Sequence, residues 1–112
     1  MTPGLRFFAV MLGIAACGAS SGVLAADIAA GKAKATEVCA ACHGADGNSM
    51  SQDFPKVAGQ YPDYLAKALR DYKSGVRKNP IMAGFAKPLT KDDIENLAAY
   101  YGSQPAVVSS RH

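Results

Sequence analysis

The sequence predicts an all-α domain of three to four helices. Apolar residues recur at spacings of three and four in three separate stretches. Helix-starting residues precede these stretches (Asp27, Pro62, Thr90), and Gly or Pro follows the last two (Gly75, Pro105). No stretch alternates apolar and polar residues as a strand with one buried face would. The chain has 112 residues, 49% hydrophobic and 19% charged, enough for one globular domain. That size excludes a large multidomain enzyme and a polytopic membrane protein. The net charge of +3 is mild, unlike the clustered basic excess of a nucleic-acid binder.

Residues 1–25 read as a secretory signal. Arg6 is followed by an apolar run from Phe7 to Ala16, then by small residues and Val23-Leu24-Ala25. Cleavage is expected after Ala25, with the site after Ala26 nearly as good. Two alternatives stay open. Ile14-Ala15-Ala16-Cys17 resembles a lipobox, which would leave the protein lipid-anchored through Cys17. The uncharged stretch from Phe7 to Ala26 is also long enough for an uncleaved anchor. Residues 26–112 form the expected domain. It then keeps two of the three cysteines, Cys39 and Cys42, too few for a disulfide framework. A domain this small buries a modest core, so a cofactor or covalent staple is expected.

The first helix is expected from about Ile28 to Ala41, capped by Asp27, with Ile28, Gly31, Ala35 and Val38 on one face. Gly44-Ala45-Asp46-Gly47-Asn48-Ser49 ends it and opens a loop reaching about Gln60. Pro62 suits the first turn of the second helix, Tyr64, Leu65, Ala68, Leu69 and Tyr72 form its stripe, and Gly75 stops it. Residues 76–88 contain Pro80, Gly84 and Pro88 and are expected to be mostly loop. Thr90-Lys91-Asp92-Asp93 is a capping-box-like start for the last helix. Ile94, Leu97, Ala98 and Tyr101 are its stripe, and Pro105 ends it near Ser103. The tail from Ala106 to His112 is expected to be mobile.

The chemistry lies in Cys39-Ala40-Ala41-Cys42-His43. Helix positions three apart share a face, so the two thiols are stacked about one turn apart. Thiols so placed suit the two vinyl groups of one haem, and His43 at the helix end suits its iron. C-x-x-C-H is the signature of c-type haem attachment. A zinc site needs more Cys or His partners than this chain offers. A thioredoxin-like pair expects a βαβ setting, whereas a helix precedes this motif. The opposite face of the iron calls for a second ligand. Met50 lies seven residues past His43 inside a Gly-rich turn; those residues span at most about 23 Å and must round the macrocycle edge. Met82 lies beyond a helix that can return the chain to the other side, within Asn79-Pro80-Ile81-Met82-Ala83-Gly84. Met82 is therefore the expected ligand and Met50 an exposed loop residue.

From about Ile28 to Gln104 the chain resembles the class I cytochromes c, most of all single-domain cytochromes c553 and the half-domains of dihaem cytochrome c4. The carrying residues are Cys39 to Asn48, Phe54-Pro55-Lys56-Val57-Ala58-Gly59-Gln60, Asn79 to Gly84, and Leu89 to Gln104. One haem motif is present, as in a monohaem domain. The resemblance implies a helical fold wrapped around haem, its first and last helices crossing where Gly31 meets Leu97 and Tyr100. It implies that the Pro55 carbonyl accepts from the His43 ring, leaving the other nitrogen for iron. Ala35 stands where the family has an aromatic residue, and Tyr101 is expected to compensate. Gln60, Arg77 and Asn79 are candidates for holding a haem propionate.

With His43 and Met82 on the iron, no position remains for substrate, and the expected role is one-electron transfer rather than catalysis. A Met thioether favours the ferrous state relative to a second His. Val57, Leu65, Leu69, Phe85 and Leu89 are expected to keep water from the macrocycle. Arg77, Lys78, Lys87 and Lys91 flank the Met82 loop, either as a basic docking rim or as ordinary solvated surface. Three functions compete. The first is a periplasmic carrier between a quinol-oxidising complex and a terminal oxidase or reductase, as a monomer or weak dimer with no transmembrane span in the mature form. The second is a dedicated cytochrome subunit of a dehydrogenase, and the third a ligand-binding haem sensor with Met82 unbound.

Overall fold

The computed structural model describes residues 3–4, 9–14 and 25–107. Cys17, Val23 and His112 lie outside the described residues. Among the described residues there are helices and turns and no strand, and no helix is long and apolar enough to cross a membrane. The elements are α1 (Ile28–Val38), α2 (Ala40–His43), α3 (Pro62–Ser74), α4 (Pro80–Ala86) and α5 (Lys91–Ser103).

Local chemistry sets most boundaries. Asp27 caps α1, its carboxylate accepting from the Ala30 N–H at 3.0 Å. The expected first helix is interrupted at Cys39, where φ reaches −112° and the Cys42 N–H bonds back three residues to the Cys39 carbonyl. Pro62 opens α3, and Gly75 closes it in the left-handed conformation at φ 83°. Thr90 and Asp93 form a reciprocal capping box on α5.

The segment expected to be loop between Val76 and Pro88 contains α4. Asn79 makes this short helix, its side-chain oxygen accepting from the Ile81 and Met82 N–H groups at 3.1 and 3.0 Å. Pro80 follows at the first position, where its missing N–H costs nothing. Lys87, still helical in φ and ψ, ends it just before Pro88.

The core joins α1, α3, α4 and α5 through Ala35, Leu65, Ala86, Ile94, Leu97 and Tyr101. The closest approach is at Gly31, where an added Cβ would lie 2.0 Å from the Asn96 carbonyl oxygen and 2.9 Å from the Tyr100 Cβ. A missing side chain thus lets α1 touch the backbone of α5. The expected partner Tyr100 is there, and the nearest backbone is the Asn96 carbonyl, which leads directly into Leu97. Leu97 is the large side chain at the centre of the core, 1% exposed. Ala35 is fully buried in the same cluster as Tyr100 and Tyr101. Their bulk on α5 fills the core that Ala35 on α1 leaves small.

The start of the tail is pinned. The Asn48 side chain donates to the Pro105 carbonyl at 2.9 Å and accepts from the Val107 N–H at 2.7 Å. Lys56 donates to the Val107 carbonyl at 3.0 Å. The expected mobility therefore does not extend to Ala106 and Val107, and the remaining tail lies outside the described residues.

Candidate functional site

A cavity of about 370 Å³ opens between the C-x-x-C-H segment, the loop at 53–60, α3 and α4. Cys39, Cys42, His43, Pro55, Gln60, Arg77, Asn79 and Met82 all border it. Every site residue expected from sequence is thus brought to one place. Met50 is not, since its side chain is wholly exposed.

The break at Cys39 and the C-cap Gly44 (φ 86°) deliver the motif to the cavity wall. His43 Nδ1 lies 2.8 Å from the Pro55 carbonyl oxygen. A carbonyl only accepts, so the proton sits on Nδ1 and the Nε2 lone pair is left for a metal. Two tyrosines of α5 hold the chain just after His43: Tyr100 donates to the Ala45 carbonyl at 2.7 Å, and Tyr101 to the Gly44 carbonyl at 3.2 Å. Gly47 completes this clamp at φ 83°, where a Cβ would come 2.7 Å from the Tyr101 ring.

Burial pushes the Cys39 thiol up to about 11; the Tyr101 hydroxyl opposes that shift and the Cys42 sulfur adds to it. Burial likewise pushes the Tyr101 hydroxyl up, with Cys39 adding to the effect. Both cysteines are free of disulfides. Their sulfurs are reduced, partly covered and available for thioether bonds.

Three hydrogen-bond donors stand at the cavity border. Asn79 spends its carbonyl oxygen on capping α4, and Gln60 spends its own on the Tyr61 N–H at 2.9 Å. Each keeps an NH₂ group to offer. The Arg77 guanidinium lies over the Tyr72 ring, 4.7 Å from its centroid. Carboxylates such as haem propionates are acceptors and match this donor set.

The walls are mainly apolar. Val57, Leu65, Leu69 and Phe85 line the cavity as expected, whereas Leu89 turns into the core, 5% exposed. Sequence reasoning missed Phe54 and Ile81 and took Tyr64, Ala68 and Tyr72 only as a packing stripe. These last three lie four residues apart on α3, so the spacing alone marks them as one face. A smaller apolar space of about 60 Å³ continues inward to Leu97, Ala98 and Tyr101. Two thiols, an imidazole with one nitrogen tied down, a thioether, and donors at an apolar cavity fit a covalently held haem.

The profile described as cytochrome c matches residues 28–104. Cytochrome c4 of Thiocapsa roseopersicina is 51% identical over 79 residues, 70% of this chain and 41% of that protein. The cytochrome subunit of sulfide dehydrogenase from Chlorobaculum tepidum is 43% identical over 65 residues, 58% of either chain. Reduced recombinant cytochrome c4 from Pseudomonas stutzeri superimposes with a TM-score of 0.70 at 45% identity, over 75% of this chain and 48% of that one. The chain spans about half the length, or less, of the cytochromes c4 it matches.

Proposed function

This chain belongs to the cytochrome c family, and from that premise we propose that it is a periplasmic monohaem carrier. It passes single electrons between respiratory redox partners. Its cofactor is one covalently attached haem c, and its fold is that of the class I cytochromes c. In this reading Cys39 and Cys42 form the thioether bonds, and His43 and Met82 supply the axial ligands. Residues 1–25 direct export, with lipidation at Cys17 as the alternative route to the same compartment.

One observation carries the reading. A single cavity is bordered by both thiols, by an imidazole whose Nε2 is free, and by a methionine from a distant helix. The Pro55 carbonyl keeps the His43 proton on Nδ1 and makes the ring a stronger donor through Nε2. The Met82 thioether, bordering the same cavity, would be the second ligand and would raise the potential relative to a second imidazole. The bound group supplies the one-electron couple. The residues around it fix the ligands, exclude water through apolar side chains, and answer the propionates with Arg77, Asn79 and Gln60. With His43 and Met82 both on the iron, no position would remain for a substrate, as befits a carrier rather than a catalyst.

The test is the mass and visible spectrum of the exported protein. A covalent haem adduct with a low-spin reduced spectrum is expected. Met82→Ala should abolish the methionine-ligated signature and Met50→Ala should leave it intact. A colourless product, or equal spectra for Met82→Ala and wild type, would refute the assignment. The match to a sulfide dehydrogenase cytochrome subunit favours a second reading, a dedicated electron acceptor of a dehydrogenase. Stable co-purification with a larger catalytic chain would select it.

A further inference from the structure

α4 carries Met82 and has only seven residues, too few to be stable on its own. Its start is capped from within by Asn79. Its far end is held from outside. Lys73, in the last turn of α3, donates from Nζ to the Lys87 carbonyl at 2.7 Å and to the Leu89 carbonyl at 2.6 Å. Carbonyls at and just past a helix end lack intrahelical partners, and a cation there is doubly suited. Further ties from this segment to the rest of the protein include the buried side chains of Ala86 and Leu89 and, upstream, the Arg77 N–H on the Asp71 carbonyl at 3.0 Å and the Arg77 guanidinium over the Tyr72 ring. Lys73 also stands near the start of α5, where its charge helps hold the Asp93 carboxyl low. One ammonium therefore joins the end of α3, the exit of α4 and the entry of α5.

We propose that Lys73 is a positioning residue for Met82, clamping the exit of α4 so that the thioether stays in the cavity, without itself touching the iron. This rests on Met82 being an axial ligand. Lys67, six residues earlier on α3, pairs with Asp71 on the same helix and has no hydrogen bond to α4. It provides a matched control.

The test uses the oxidised holoprotein with imidazole as the competing ligand, followed through loss of the methionine–iron absorption band. Entry of imidazole requires Met82 to leave first, so its rate reports how often the loop opens. Lys73→Gln should speed entry about tenfold, equivalent to about 1.4 kcal/mol, the size of one hydrogen bond to a charged group. Lys73→Arg should restore a rate near wild type, and Lys67→Gln should leave it unchanged. If Lys73→Gln enters at the wild-type rate, or Lys67→Gln accelerates entry equally, the clamp is refuted. If the wild-type protein lacks the methionine–iron band, the ligand assignment itself fails, and the clamp with it.

Discussion

Replacing Gly31 with alanine adds one methyl group at the tightest contact between α1 and α5. That methyl would sit 2.0 Å from the Asn96 carbonyl oxygen, 2.6 Å from its carbon and 2.9 Å from the Tyr100 Cβ. Ordinary contact begins at 3.4 Å, so the helices must part locally by about 1.4 Å. Two of the three opposing atoms belong to the backbone, so no rotamer change relieves them. Overpacking of this kind costs about 1–3 kcal/mol, and rigid backbone on both sides places Gly31→Ala at the upper end. Alanine returns about 1 kcal/mol through its better helix propensity. The net expectation is a loss of about 2 kcal/mol, which is about 8–16 °C in Tm for a domain of this size. Urea unfolding of the holoprotein, monitored by far-UV circular dichroism, gives the midpoint and slope needed to measure it. Gly84→Ala is the control. It lies inside α4 with no atom within 4 Å of its added Cβ, so it should be neutral or stabilising by up to about 1 kcal/mol. If Gly31→Ala proves as stable as wild type, or the two variants shift alike, the close helix contact is wrong.

Leu97→Ala removes the large side chain at the core's centre, 1% exposed, and should cost about 2–5 kcal/mol in the same assay. A loss under about 1 kcal/mol would place Leu97 outside the packed centre. Asp93→Ala tests the α5 capping box. The Thr90 backbone N–H is the main cause that holds the Asp93 carboxyl below its ordinary value. A lowered carboxyl stabilises the fold above its unfolded pKa, about 3.9, and that stability is lost as pH falls through the folded value. The gap between wild type and Asp93→Ala should therefore be full at neutral pH and close below about pH 4. A gap independent of pH would show that the carboxylate charge plays no part.

Features governed by near neighbours were legible in the sequence. Asp27, Pro62, Gly75 and the Thr90–Asp93 box mark their helix ends by local hydrogen bonding and φ preference, and each appears where expected. The haem motif was legible because its spacing is itself the geometry. α4 was not, because Gly84 and Pro88 speak against a helix, while the Asn79 cap that favours one spans only four residues. The interruption at Cys39 left no trace in composition. Contacts across the fold were only partly legible. Gly31 was marked for close approach, but that its nearest neighbour is a backbone carbonyl, that of Asn96, depends on helix placement that side-chain pattern does not encode. The second role of Tyr64 and Tyr72 as cavity wall was hidden, since a packing stripe and a cofactor wall share one spacing. Lys73 gave no signal, because a lysine late in a helix is ordinary until a carbonyl from elsewhere meets it.

The Asp27 N–H bonds the Asn96 side chain across 69 residues at 2.8 Å, and Gly31 docks beside it. The opening helix cannot seat until the closing helix has been synthesised and has emerged. Throughout that interval the sulfurs of Cys39 and Cys42 ride on an unclosed strand of chain, reachable by any enzyme that modifies them. Once the ends meet, the Cys39 sulfur is partly walled in. The topology thus orders two events: both sulfurs are reachable before α1 and α5 dock, and the Cys39 sulfur is less so afterwards.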